Sequence, residues 1–194
     1  MTGILLAFAT DEGQTEKIAG HVAKRLEAQG LPVVLHHLTS DSPAPNPASF
    51  SAVILAGSIH MGRHQSALET FASVHGDILE DRPNLMISVS LSAGSVHPTE
   101  RAAAGRYMDM FSERTGFSPD RIHCAAGAIR DAKTPFLRRL LVHAILAKSG
   151  IDLNPGGDTE FTDWSTLDAV IDDYVAHLPS SVTAEPAAPM AARA

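Results

Sequence analysis

Apolar positions along this chain follow two rhythms. Five short runs rich in Val, Ile and Leu, at residues 3–9, 32–38, 52–57, 85–91 and 121–128, are nearly continuous rather than alternating. Continuous apolarity over so few residues predicts strands covered on both faces, as in a parallel sheet. Between them the spacing changes to three and four, the signature of helices with one buried stripe. Ile18, Val22 and Leu26 form the first stripe, flanked by Ala19 and Ala23. Residues 66–79 carry Leu68, Phe71, Ala72, Ile78 and Leu79, and residues 100–115 carry Tyr107, Met108 and Phe111. The last stripe follows Thr162, with Trp164, Leu167, Val170, Ile171, Tyr174, Val175 and Leu178. Strand and helix alternate throughout, which predicts an α/β fold with a doubly wound parallel sheet.

Two segments break the alternation. Residues 131–160 intervene between the fifth strand and the last helix, and residues 179–194 are rich in Ala and Pro. The expected organisation is one domain over residues 1–178, a basic amphipathic insertion at 131–160, and a disordered tail at 179–194. The insertion is basic in an acidic chain. From Arg130 to Lys148 there are five cations (Arg130, Lys133, Arg138, Arg139, Lys148) against Asp131, a local net charge of +4, while the whole chain is at −7. Phe136, Leu137, Leu140, Leu141, Ile145 and Leu146 give it a broad apolar face. Such a helix suits an acidic membrane surface, and equally a cover packed on the sheet; it is too short to span a bilayer. The acidic total argues against a nucleic-acid partner. Cys124 is the single cysteine, which excludes an internal disulfide and fits a reducing compartment. The N-terminus lacks a basic leader and breaks at Asp11, so neither a signal peptide nor a membrane span is expected there.

In open α/β sheets, ligands lie beyond the carboxyl ends of the strands. After strand one come Thr10, Asp11, Glu12, Gly13, Gln14 and Thr15. Hydroxyls, an amide and a glycine at a helix start can cradle a phosphate without a lysine, using free backbone N–H groups and the helix dipole. An ordinary helix cap, with Asp11 or Thr10 capping and Gln14 closing a box, explains the same residues. After strand three come Gly57, Ser58, Ile59, His60, Met61, Gly62, Arg63 and His64. This reads as a flexible loop able to lie against a flat ring, or as a plain connection with His64 or Ser66 capping the next helix. A His60/His64 metal pair lacks a carboxylate to complete it. After strand four come Ser90, Leu91, Ser92, Ala93, Gly94 and Ser95, small enough to bring backbone close to a ligand. Three such loops on one edge point to a cofactor.

The Thr-x-x-Gly-x-Thr turn with the Gly-Ser-Ile loop resembles the flavodoxin-like FMN proteins. "ATDEGQT", "AGSIHMGRH", "AGAIR" and "FTDW" follow the order and spacing of the quinone-dependent protoporphyrinogen IX dehydrogenase family, over about residues 3–178. The resemblance implies a five-stranded sheet of order 2-1-3-4-5 with a helical insertion after strand five. It implies non-covalent FMN, with the phosphate held by Thr10, Asp11, Glu12, Gly13, Gln14 and Thr15. The ring would lie against Ser58, Ile59, His60, Met61 and Gly62 on one side, and Ser90, Leu91, Ser92, Ala93 and Gly94 on the other. Two positions depart from that family: Met61 stands where an aromatic ring is common, and Asp11 where a basic residue occurs.

The implied activity passes electrons from a porphyrinogen-type substrate through FMN to a membrane quinone. Arginines grip carboxylates in a forked geometry, so Arg63, Arg130, Arg138 and Arg139 are the candidate substrate contacts. No catalytic acid or base stands out; His60 and His97 are proton carriers by residue type only. The expected location is cytoplasmic, peripheral on the inner face of the cell membrane, with a homo-oligomer left open. A flavodoxin-type electron carrier and an NAD(P)H:quinone reductase are the alternatives. A phosphoacceptor receiver domain would need a carboxylate where Gly57 and Ser58 stand. Cys124 is expected to be a buried strand residue, His36 and His37 surface or strand-end residues, and Trp164 to pack under the last helix behind a Thr162 cap.

Overall fold

A computed structural model describes residues 3–41, 43–95, 97–129 and 159–183. Strand β1 (Ile4–Ala9) leads into helix α1 (Gln14–Ala28), followed by β2 (Val33–His37) and β3 (Ala52–His60). A two-residue strand β4 (Arg63–His64) folds back on β3 before α2 (Ser66–Glu80), β5 (Asn84–Ser90), α3 (Pro98–Thr115) and β6 (Ile122–Ala126). Then come β7 (Ala128–Ile129), β8 (Thr159–Glu160), α4 (Trp164–Ala176) and the short α5 (Ser180–Thr183). The parallel strands lie in the order β2-β1-β3-β5-β6, the expected 2-1-3-4-5 when they are counted alone. β7 and β8 pair antiparallel as a separate ribbon.

The sheet is doubly wound because its central strands are buried on both faces, by mostly apolar side chains. β1 and β5 are buried throughout. Ile4, Leu6 and Phe8 pack with Ile18, Val22 and Leu26 of α1 and with Leu167, Ile171 and Tyr174 of α4. Leu5, Ala7 and Ala9 face the other layer, with Leu68, Phe71 and Leu79 of α2 and Met108 and Phe111 of α3. Each fully buried Leu, Ile or Phe stabilises the fold by about 1.5–3 kcal/mol. The edge strand β2 departs from the expectation of strands covered on both faces: Val34 is 47% and Leu35 43% exposed.

Charges tie α1 to α4. Arg25 meets Asp168 at 3.2 Å and also holds Asp172, while His21 lies 2.7 Å from Asp168. Asp163, not Thr162, caps α4, accepting from Thr166 N–H at 3.0 Å. That backbone bond, with the hydroxyls of Ser165 and Thr166, holds its carboxyl down to about 2. Trp164 packs its ring on His21, 4.7 Å between centroids. Order also extends past the expected boundary of the tail: α5 follows, and Val182 is buried in the α1/α4 core. The insertion apart from Thr159–Glu160, and residues 184–194, lie outside the described residues.

Candidate functional site

Register places three loops along one edge. Ala9 pairs with Gly57, and Gly57 with Ser88. The chain therefore leaves β1, β3 and β5 at nearly one level, bringing Thr10, Ser58 and Ser90 to the carboxyl rim. Close packing beneath the rim requires Gly57: a Cβ there would sit 2.3 Å from Leu68 Cδ2 and 3.2 Å from His64 Cδ2.

The first loop is not an ordinary cap. Gly13 is the residue before α1, in the left-handed region at φ 84°, and no side chain caps the helix. Thr10 Oγ1 accepts from Gly13 N–H at 3.0 Å, shaping the loop instead of filling the helix end. A helix start without a side-chain cap keeps donors and a partial positive charge. Thr15, the second helical residue, is fully buried, and its Oγ1 has no hydrogen-bond partner. A buried hydroxyl without a partner costs about 1–3 kcal/mol and calls for an explanation. The side chain of Gln14 donates to Thr162 Oγ1 at 2.9 Å, and so does not cap. The carboxylate of Asp11 accepts from Gln65 Nε2 at 3.3 Å, across the rim on the α2 side.

The second loop is a hairpin where the sequence suggested a flexible connection. His60 pairs with Arg63, leaving Met61 and Gly62 as the turn, both at positive φ (50° and 82°). Two left-handed residues make a type I′ turn, which favours Asn-Gly. Methionine there is strained, and it is 92% exposed. The hairpin is anchored from below. Arg63 pairs with Glu69, which is buried and also faces Arg114 at 3.5 Å. Neither His64 nor Ser66 caps α2; Gln65 precedes the helix without a side-chain cap bond. His64 is buried instead, with Nε2 3.0 Å from Ser88 Oγ and its ring edge-on to Phe111. Burial, and then the charge of Arg114, lower its pKa to about 4, so the ring is neutral. Gln65 Nε2 also donates to Ser58 Oγ at 2.5 Å, so one side chain bridges the first two loops.

The third loop is a 3-10 turn at Ser92–Gly94. Ser90 Oγ accepts from Ala93 N–H at 3.2 Å, and the Ser90 carbonyl accepts from Gly127 N–H at 3.2 Å. A Cβ on Gly94 would lie 3.0 Å from the Cβ of Ala126 and 3.4 Å from that of Phe161. The loop is thus held on β6.

Beside this rim, on the α2 side, opens a cleft of about 990 Å³. Thr10, Asp11, His60, Met61 and Arg63 border it; residues 13–15 and 90–94 do not. Arg130, Arg138 and Arg139 lie outside the described residues. Among the described residues no group of His, Cys, Asp and Glu is placed to hold a metal ion. His36 is half-buried; His37 is exposed and stacks on Phe8 at 4.8 Å. Cys124 is only half-buried, and burial raises its pKa. Sequence reasoning missed Gln65, the buried Glu69 and the His64–Ser88 pair. All three depend on contacts between elements; the sequence carried only a weak signal for them, a lone acid on an apolar helix face six residues after Arg63.

A doubly wound sheet with three small, donor-rich loops at its carboxyl edge defines a nucleotide-type cofactor site of the flavodoxin kind. The family model described as Flavodoxin domain matches residues 5–152, and the chain belongs to that family. It is 27% identical over 180 residues to a protein named protoporphyrinogen IX dehydrogenase [quinone] from Escherichia coli strain K12, covering 92% of this chain and 97% of that protein. A protein of the same name from Leishmania major is 24% identical over 184 residues, covering 95% and 79%. The crystal structure of oxidised Flavodoxin 1 from Bacillus cereus superposes with a TM-score of 0.54 at 13% identity, over 92% of this chain and 100% of that one, a likeness of fold. FMN is the cofactor that this family membership indicates. The residues present fit it: an uncapped helix start, a left-handed glycine and an orphaned buried hydroxyl suit a phosphate that needs uncharged donors.

Proposed function

We propose that this chain is an FMN-dependent oxidoreductase of the quinone-dependent protoporphyrinogen IX dehydrogenase type, oxidising a porphyrinogen-type ring and reducing a quinone. The observation that carries the cofactor reading is Thr15 Oγ1, fully buried and unpartnered at the uncapped start of α1. Residues 10–15 would hold the FMN phosphate, mainly through hydroxyls and backbone N–H groups. Residues 58–62 and 90–94 would flank the ring. When bound, FMN supplies the two-electron redox chemistry; the chain supplies orientation and polarity around it. Asp11 is compatible with a dianion because Gln65 holds its carboxylate to one side.

The substrate reading draws on relatives of that name matched over nearly their whole length. Residues 1–178 would act as one domain. Arg130 and the basic stretch 131–160 would meet the carboxylates of the substrate, through Arg130, Arg138 and Arg139, and an acidic membrane surface. No helix among the described residues is long and apolar enough to cross a membrane.

Fluorescence titration of the cofactor-free protein with FMN tests the first half: quenching that saturates at one equivalent is expected, and no quenching would end it. Anaerobic mixing of the loaded protein with protoporphyrinogen and menaquinone tests the second. Porphyrin fluorescence that depends on the quinone is expected. FMN binding with neither porphyrin formation nor quinone reduction would leave a flavodoxin-type carrier.

A further inference from the structure

The cleft beside the rim shares only Thr10 and Asp11 with the residues assigned to the phosphate, and its lining has a definite character. Its floor is apolar: Leu38 and Phe71 are buried beneath it, and Val74 and Met61 stand at its mouth, 70% and 92% exposed. Large apolar side chains so exposed contribute little to the fold, and clustered around a concavity they mark a ligand or partner surface. At about 990 Å³ the space is at the upper end of what small-molecule sites occupy. Thr39 and Thr70 offer hydroxyl donors on its walls.

The charges decide which ligand fits. Arg63 is the one lysine or arginine among the lining residues, and it is paired with the buried Glu69. Glu69 in turn faces Arg114, so a buried carboxylate would lose a partner if Arg63 turned to a ligand. Asp11, at the rim end, adds negative charge. Of the four histidines in the lining, His64 is buried against Ser88, and a dicarboxylate such as a porphyrinogen would find no uncommitted lysine or arginine to grip it here. A neutral ring with carbonyl oxygens and an apolar tail would find donors, an apolar floor and an apolar mouth.

We infer that this α2-side cleft is the quinone site, holding a neutral quinone ring against Leu38, Phe71 and Val74 with its hydrocarbon tail leaving past Met61. The inference rests on the quinone-reducing reading above and assigns that substrate a place separate from the porphyrinogen. The hairpin that forms one wall of the cleft, residues 59–64, is also the loop assigned to the ring of the cofactor, so the two sites share a wall.

The test uses FMN-loaded protein and menadione, a quinone without a tail, by equilibrium dialysis. Val74 is surface-exposed, so Val74→Glu leaves the core intact while placing a carboxylate at the mouth, and Val74→Met keeps the apolar character. Val74→Glu should weaken menadione binding by at least about tenfold, because the bound ring must desolvate a charge. Val74→Met and wild type should bind alike, and the dissociation constant for FMN should not change in either variant. Menadione binding that ignores Val74→Glu would overturn the cleft assignment while leaving the oxidoreductase reading standing. Failure of the wild-type loaded protein to bind menadione would end the quinone reading itself. Weakened binding of mesoporphyrin, a dicarboxylate ring, with menadione unaffected would overturn the choice of a neutral occupant.

Discussion

His64 makes the stability of this protein depend on pH in a way that can be worked out in advance. The imidazole is 2% exposed, shares a hydrogen bond with Ser88 of β5, and lies against Phe111 of α3 near Arg114. Its pKa falls from 6.5 to about 4 on folding, chiefly through burial. The sign follows directly. Above 6.5 the ring is neutral in both states and the stability is fully present; as pH falls from 6.5 toward 4, the unfolded chain gains a proton that the folded chain refuses. At about 1.4 kcal/mol per pH unit, the whole gap is worth about 3 kcal/mol, of which about 2 kcal/mol is lost between pH 7 and pH 5. Urea unfolding followed by circular dichroism at those two pH values measures it. His64→Gln retains polar atoms near Ser88 but cannot titrate. It should be less stable than wild type at pH 7, yet lose about 2 kcal/mol less on going to pH 5. His75 and His123 are also lowered by burial, but they are present in both proteins and cancel. Equal losses in wild type and His64→Gln would refute the argument that this buried ring, and not the carboxylates at large, sets the slope.

Gly57→Ala drives a methyl to within 2.3 Å of Leu68 Cδ2, so the same unfolding assay should show a loss of about 1–3 kcal/mol. Met61→Asn, better suited to the left-handed position at φ 50°, should gain about 1 kcal/mol in thermal or urea unfolding. Gln65→Ala frees Asp11 to approach a bound phosphate, and a repulsion of about 1 kcal/mol raises the dissociation constant for FMN roughly fivefold. Because Gln65 also holds Ser58, riboflavin, which has the ring but no phosphate, is the reference: FMN should weaken about fivefold more than riboflavin, and adding Asp11→Asn should remove that difference; equal weakening of both ligands would contradict it.

The layers of this fold were legible because burial alone dictates them. A strand covered on both faces needs few polar side chains, each with a partner: β1 has none, and β5 buries Asn84, Ser88 and Ser90 only in hydrogen bonds; a helix on a sheet needs one stripe, and Ile18, Val22 and Leu26 supply it. Position within the sheet was less legible. Val34 and Leu35 look like core residues in sequence, yet they face solvent because β2 is an edge, which no local pattern records. The hairpin at residues 59–64 escaped notice because its return strand has two residues and its turn has methionine where Asn is usual. Glu69 reads as an ordinary surface acid until Arg63 and Arg114 are seen beside it, and Arg114 is distant in sequence. The rim loops were recognisable by residue type. Which of their donors are committed, as Gln14 is to Thr162, and which are orphaned, as Thr15 is, emerged only from the packing.

The β7–β8 ribbon has one more consequence. Ile129 opposite Thr159 brings the two ends of residues 130–158 together at a single stem, and a loop with its ends already joined adds only slowly to the entropy of the fold as it lengthens. Because this stem is a ribbon of its own and pairs with none of the parallel strands, a change of chain length beyond Ile129 and before Thr159 meets the fold at one point and leaves the register of the main sheet to its own pairings.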